Sequence, residues 1–148
     1  KELKWRIVFL RPLGLRLSLR LSRYLLWAAI AGWVLSLIFF GKLWRADKIY
    51  ALIYAADFVP IFLIFRAMLK FLANITAGEI FCAQNVELLR KVSWYCLYGG
   101  SVLLLASFYQ PIFIVCAGVI GFYGLLMRVV KNMLSQAQAL KEENDYTI

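Results

Sequence analysis

Histidine is absent from the 148-residue chain, which removes the commonest general base and the commonest metal ligand. Cysteine is scarce: the three thiols, Cys82, Cys96 and Cys116, are odd in number, and no pair has the spacing of a zinc site. Neither a nucleophile–base spacing nor a phosphate-binding loop is present. We therefore expect no enzyme, no metal site and no cofactor.

Charge is also sparse. Charged residues make up 17% of the chain and hydrophobic residues 64%, whereas a soluble domain is nearer a quarter charged and half apolar. A water-soluble fold of this size cannot hide so much apolar surface, so we expect a membrane protein solvated by lipid. The net charge of +9 comes from basic residues placed between apolar runs, which indicates membrane topology rather than direct nucleic-acid binding.

Four apolar runs each reach the roughly 17–25 residues that a helix needs to cross the hydrocarbon core. In lipid the backbone must satisfy its own hydrogen bonds, so these runs are helices. We predict an all-α integral membrane protein with one four-helix transmembrane domain over residues 1–148. The predicted membrane helices are 24–41, 49–72, 92–109 and 111–130, with a basic interfacial segment at 1–23, a cytoplasmic link at 73–91 and a cytoplasmic tail at 131–148.

The positions of Lys and Arg predict the orientation. With both termini inside, 14 of the 17 basic residues lie on the inner side, so the positive-inside rule places both termini in the cytoplasm. The first run is long for a signal peptide and no A-x-A-like cleavage site follows it, so we expect a retained helix.

Arg16, Arg20 and Arg23 share one helical face, and we expect their segment to lie in the headgroup layer before turning into helix one. It is a topology anchor or, alternatively, a lipid-composition sensor.

Asp57 is the most costly residue in the sequence, because a carboxylate at the centre of a membrane helix costs about 2.5–3.5 kcal/mol. Tyr54 lies one turn earlier and can donate a hydrogen bond to it, and Pro60 frees a backbone carbonyl. Tyr54, Asp57 and Pro60 are therefore a candidate intramembrane polar site. The alternative is a protonated or hydrogen-bonded Asp57 that only fixes helix packing.

The link between helices two and three is polar. Thr76 and Glu79 have the spacing of a capping box, and a short amphipathic helix is predicted from about Ala83 to Lys91, running into helix three. Glu79, Asn85 and Glu87 are candidate partner-binding residues of this link. The alternative is a face that is merely solvated.

Acidic residues also cluster in the tail, where Glu142, Glu143 and Asp145 oppose the macrodipole of a helix that continues from the fourth run. With Asn144 they form a second candidate partner surface, for a basic cytoplasmic partner or the chain's own basic inner surface; a solvated tail is the alternative.

Small residues in the fourth run permit close backbone approach, either inside the hairpin of helices three and four or in a homo-oligomer. They are Gly118, Gly121 and Gly124.

Two stretches carry a family resemblance: "GEIFCAQNVELLRK", followed by a hairpin, and "RVVKNMLSQAQALKEENDYTI". They resemble the bacterial four-helix membrane family of domain of unknown function 2975, from helix two to the last residue and more loosely over the whole chain. Cys82 departs from the Ser or Thr that the family has there, and it caps a helix poorly. The most specific positions are Gly78, Phe81, Asn85 and Val86 in the link, and Lys141, Glu142, Glu143, Asn144, Asp145, Thr147 and Ile148 in the tail.

The family has no established activity, but its members are often encoded beside a small helix-turn-helix regulator. The resemblance thus implies a membrane partner for such a DNA-binding protein. Our first hypothesis is a regulatory membrane protein that binds this regulator through its link and acidic tail. The alternative is a transport or immunity protein for an ion or small molecule, with Asp57 in a cavity between helices.

Overall fold

The structure is a computed structural model that describes the backbone of residues 2–146 and the side chains of residues 16–146. The described chain is all-helical, which confirms the predicted class. Residues 147 and 148 of the predicted tail lie outside the described part. The four helices are α1 (Glu2–Ala46), α2 (Lys48–Thr76), α3 (Ala83–Ala106) and α4 (Ile112–Tyr146).

Three of the helices are long and apolar enough to cross a membrane: α1 from Arg16 onward, α2 and α4. Their large apolar side chains are mostly exposed on the outside of the bundle, as expected of surfaces solvated by lipid. The helix α3 differs, because it lies between α2 and α4 and holds most of the buried residues. In the described chain α3 is not among the helices long and apolar enough to cross a membrane, so the predicted span 92–109 stays a prediction.

Helix α1 packs on α2 through aromatic rings. Trp33 stacks on Phe58 with ring centroids 5.1 Å apart, and it also contacts the ring of Tyr54 at 5.3 Å. The chain reverses at Asp47, whose Oδ1 accepts the backbone N–H groups of Ile49 at 2.9 Å and Tyr50 at 3.2 Å. This is an N-cap that satisfies donors otherwise left free at the start of α2.

The turn predicted between the segment 1–23 and helix one is wrong, whereas the interfacial position of this segment stays a prediction. The side chains of residues 1–15 lie outside the described part, but the backbone from Arg16 to Arg23 continues as the same α1 helix, without the expected turn. Leu and Arg are strong helix formers, and no Gly or Pro interrupts the sequence between Arg16 and Arg23. Arg23 Nη2 donates to Thr76 Oγ1 at 3.1 Å, so this part of α1 lies beside the end of α2.

The link between α2 and α3 starts with a helix end, so the capping box predicted for Thr76 and Glu79 is wrong. Gly78 has a φ of +87°, its N–H donates to Ile75 O, and the N–H of Glu79 donates to Asn74 O. These two bonds form a Schellman motif, the usual way to end a helix with glycine. The predicted short helix at 83–91 is not separate either, because it forms the first turns of α3.

The α3–α4 hairpin is closed by glycines. A Cβ at Gly124 would lie 2.9 Å from the Cβ of Cys96, and Gly121 lies against Gly100. These contacts favour the intramolecular role of Gly121 and Gly124, whereas a Cβ at Gly118 would meet no described atom within 4 Å. The homo-oligomer contact through the three glycines stays a prediction.

Candidate functional site

Asp57 lies beside a cavity between α2, α3 and α4. The residue is 6% exposed, and its Oδ1 has no hydrogen-bond partner among the described residues. The cavity has a volume of about 200 Å³ and an apolar lining. Its walls come from α2, α3 and α4 and include Asp57, Pro60, Tyr95, Gly99, Ile120 and Tyr123.

The side chain of Asp57 fits here because α3 has a glycine opposite it. A Cβ at Gly99 would be 3.4 Å from Asp57 Oδ1, so a larger side chain would press on the carboxylate. Pro60 is also buried and lines the same cavity, which brings two of the three predicted intramembrane residues together. A single carboxylate in an apolar cavity can hold a proton or attract a small cation with apolar groups.

Tyr54 does not join this site. Its hydroxyl hydrogen-bonds with Ser36 Oγ, and its ring packs against Trp33 and Phe40 on the side of α1. The hydrogen bond predicted from Tyr54 to Asp57 is therefore wrong. The physical reason is that Tyr54 faces α1, whereas Asp57 faces α3 and α4.

Asn85 requires a second correction, because it is fully buried and lies on no exposed surface. Its Nδ2 donates to the backbone oxygens of Glu79 at 2.7 Å and Ile80 at 3.0 Å, and its Oδ1 accepts Asn74 Nδ2 at 2.7 Å. These bonds tie the link to both α2 and α3. Asn85 thus holds the link in shape rather than binding a partner.

The two acidic residues of the link differ in their surroundings. Glu79 is exposed, and its backbone oxygen is one of the acceptors of Asn85. Glu87 forms ion pairs within α3, with Arg90 at 2.6 Å and with Lys91 at 3.8 Å. Exposed pairs of this kind contribute little to stability. The link therefore presents a small, largely self-compensated charge pattern.

The acidic tail residues lie on the last turns of α4, which confirms the predicted helical continuation. Glu142, Glu143, Asn144 and Asp145 are all exposed. Gln138 Nε2 donates to Glu142 Oε1 at 2.9 Å, one turn apart on the helix. In the described chain no Lys or Arg lies within 4.0 Å of the carboxylates of Glu142 or Asp145.

A polar contact closes the opposite end of the bundle. The hydroxyl of Tyr109, in the α3–α4 turn, donates to Asp47 Oδ2 in the α1–α2 turn. This hydrogen bond lowers the pKa of Asp47 and raises the pKa of Tyr109, because it stabilises the carboxylate and the protonated phenol together. The two turns therefore lie at the same end of the molecule.

Two features of these sites have no clear signal in the sequence. Asn74, which donates to Asn85, lies one turn before Gly78, the residue that ends α2. Its role could have been inferred only by recognising the Schellman motif at this helix end. The residues of α3 that line the Asp57 cavity lie in an ordinary apolar run. Gly99, with no side chain, is the one available hint of a close neighbour.

The family model described as "Protein of unknown function (DUF2975)" matches residues 18–148. The chain belongs to this family, as its link and tail motifs predicted. No curated protein and no solved structure matches the chain.

Proposed function

We propose that this DUF2975 protein is a small regulatory membrane protein of the bacterial inner membrane, without enzymatic activity. The exposed acidic end of α4 binds a small basic cytoplasmic protein, such as a helix-turn-helix DNA-binding regulator, and holds it at the membrane. In this arrangement α3 is the fourth membrane-crossing helix and both termini are cytoplasmic. The distribution of Lys and Arg supports that orientation.

The continuity of α4 is the observation that carries the regulatory role. One helix runs from the wall of the Asp57 cavity, at Ile120 and Tyr123, to the exposed acidic residues near Tyr146. A shift of the helix in the membrane would therefore move its acidic end. Acidic residues at a helix C-terminus are unfavourable for the helix alone, so a basic partner would stabilise them.

Among the described side chains, no Lys or Arg pairs with Glu142 or Asp145. Both are exposed, and Glu142 is hydrogen-bonded to Gln138 of its own helix. Their charges are therefore available to a second protein. Electrostatic attraction of this kind mainly raises the association rate and weakens as salt is added.

A cross-linking pull-down from native membranes tests the regulatory role. The full chain is compared with a chain ending at Gln138 and with a charge-neutral Glu142→Gln/Asp145→Asn variant. We expect a small basic DNA-binding protein with the full chain, strongly reduced capture with the neutral variant, and none with the shortened chain. Gln136→Ala, which changes an exposed side chain of the same helix without removing charge, is the matched control and should leave capture unchanged. Equal capture by all four would contradict the role of α4.

The unpartnered Asp57 Oδ1 favours a second candidate function, that of a transport or immunity protein for an ion or small molecule. A carboxylate that only fixed helix packing would be expected to have a hydrogen-bond partner, and none is found among the described residues. The nearly isosteric Asp57→Asn removes the charge without opening space. It should abolish transport or immunity if this second function holds, and leave partner capture intact under the regulatory one.

A further inference from the structure

A second pocket lies between α3 and α4, at the end of the bundle that holds the α2–α3 link. It has a volume of about 320 Å³ and is lined by three basic residues, two polar residues and one aromatic residue. Unlike the Asp57 cavity, it belongs to neither function considered above. Its lining residues are Arg90, Ser93, Trp94, Arg128, Lys131 and Asn132.

The basic groups of this pocket are incompletely neutralised. Arg90 pairs with Glu87 at 2.6 Å, but neither Arg128 nor Lys131 has a carboxylate within 4.0 Å in the described chain. Arg128 and Lys131 are three residues apart on α4, where like charges repel. An anion between them would offset this repulsion, so the positive charge of the pocket favours the binding of an anion.

A buried hydroxyl gives the second, independent sign of a ligand. Ser93 is 2% exposed, lines the pocket, and its Oγ has no hydrogen-bond partner among the described residues. Buried polar groups are nearly always hydrogen-bonded, so an unpaired hydroxyl on a residue that lines a basic pocket indicates a missing acceptor. A phosphate oxygen accepts from a hydroxyl, a guanidinium and an ammonium alike.

The position of the pocket fits a phosphate at the membrane surface. Arg128 lies over the ring of Trp94, 5.5 Å from its centroid, and Trp is typical of the membrane–water interface. This contact holds the guanidinium at the edge of the pocket instead of leaving it free in solvent. Basic pockets between membrane helices are known binding places for phosphorylated lipid headgroups.

We propose that the pocket formed by Arg90, Ser93, Trp94, Arg128, Lys131 and Asn132 binds a phosphate group. Arg128 and Lys131 supply the charge and Ser93 donates a hydrogen bond to a phosphate oxygen. The phosphate comes from an anionic phospholipid headgroup or from a free phosphate in the cytoplasm. Both sources share the same chemistry, and the two arms of the experiment distinguish them.

The first arm measures lipid retention. The full chain is purified in mild detergent with equal amounts of phosphatidylglycerol and phosphatidylcholine, and bound lipid is counted by native mass spectrometry. We expect retained phosphatidylglycerol with the unaltered chain and a loss of at least about tenfold with Arg128→Gln/Lys131→Gln, because one charge-assisted hydrogen bond alone contributes that much. Ser93→Ala should lower retention severalfold and leave the charge unchanged.

A matched control separates the pocket from general surface attraction. Arg66→Gln/Lys70→Gln removes the same charge from α2, where Arg66 and Lys70 line a different groove. It should retain phosphatidylglycerol as the unaltered chain does. Equal loss in both double variants would show that only overall charge matters, and would overturn the proposal.

In the second arm, inorganic phosphate is titrated into the chain held in lipid discs of phosphatidylcholine alone, and binding is measured by isothermal titration calorimetry. Saturable binding that Arg128→Gln/Lys131→Gln removes, together with no preference for phosphatidylglycerol, assigns the pocket to a free phosphate. Lipid retention without phosphate binding assigns it to a headgroup. If neither arm shows binding that depends on Arg128 and Lys131, the proposal is wrong.

Discussion

Asn85 holds the α2–α3 link, and its replacement by alanine tests this directly. The change removes hydrogen bonds to Glu79 O, Ile80 O and Asn74 Nδ2, at 2.7, 3.0 and 2.7 Å. Each contributes about 1 kcal/mol net. Water can reach the carbonyl of the exposed Glu79 once the link opens, so we expect a loss of about 2–3 kcal/mol rather than a larger one.

Hydrogen–deuterium exchange of the purified chain in mild detergent measures this loss locally. A cost of 2–3 kcal/mol corresponds to opening of the link that is about 30 to 150 times more frequent. Exchange of the amides in residues 77–86 should rise by that factor in Asn85→Ala. Exchange in the membrane part of α4 should stay unchanged, because no described contact of Asn85 reaches it.

Gln84→Ala is the matched control, since it removes one neighbouring amide and a single exposed hydrogen bond, from Asn74 Nδ2 at 3.2 Å. We expect less than about a threefold change in exchange for this variant. The assignment of Asn85 as the residue that holds the link would be refuted if Asn85→Ala behaved like Gln84→Ala. Faster exchange throughout the chain would also refute it, because the effect would then be global.

Two further predictions concern the hairpin and the opposite end of the bundle. Gly124→Ala should destabilise the chain by roughly 1–3 kcal/mol, because the new Cβ would lie 2.9 Å from the Cβ of Cys96. Gly118→Ala, whose Cβ would meet no described atom within 4 Å, should change the stability by less than about 0.5 kcal/mol. Thermal unfolding in detergent compares the two variants, and equal midpoints would contradict the hairpin contact. The hydrogen bond from Tyr109 lowers the pKa of Asp47. The stability that this bond contributes is therefore fully present above pH 3.8, the ordinary pKa of an aspartate, and is lost as the pH falls through the lowered pKa. Tyr109→Phe should reduce this acid dependence in pH-resolved unfolding, and an unchanged profile would contradict the contact.

The helices and their approximate order could be predicted from the sequence, because lipid requires long apolar runs and leaves few alternatives to a helix. The weakest prediction was the extent of each helix. The chain from Arg16 to Arg23 is polar enough to suggest a separate segment, yet strong helix formers carry α1 through it. Local propensity outweighed the change in composition. The continuation of α4 beyond Lys131, by contrast, was predicted from the sequence and is confirmed.

The link could not be predicted correctly because its shape depends on the backbone conformation of Gly78 and on the side-chain hydrogen bonds of Asn85, neither of which a short sequence motif indicates. Thr76 and Glu79 match a helix-start motif, but the positive φ of Gly78 makes the same residues a helix end. Asn85 resembles a surface amide until Asn74 is placed beside it. The sequence also indicated the cost of burying Asp57. It did not indicate that Tyr54 faces α1, because the partner of its hydroxyl, Ser36, lies on another helix.

Site-specific photo-cross-linking in living cells tests the regulatory function most directly. A photoreactive residue replaces Asn144, on the exposed acidic end of α4, or Val115, which is 60% exposed in the membrane part of the same helix. We expect a small basic DNA-binding protein cross-linked from position 144, weakened by Glu142→Gln/Asp145→Asn, and absent from position 115. No soluble protein from position 144, or the same products from both positions, would contradict the proposed role of this helix.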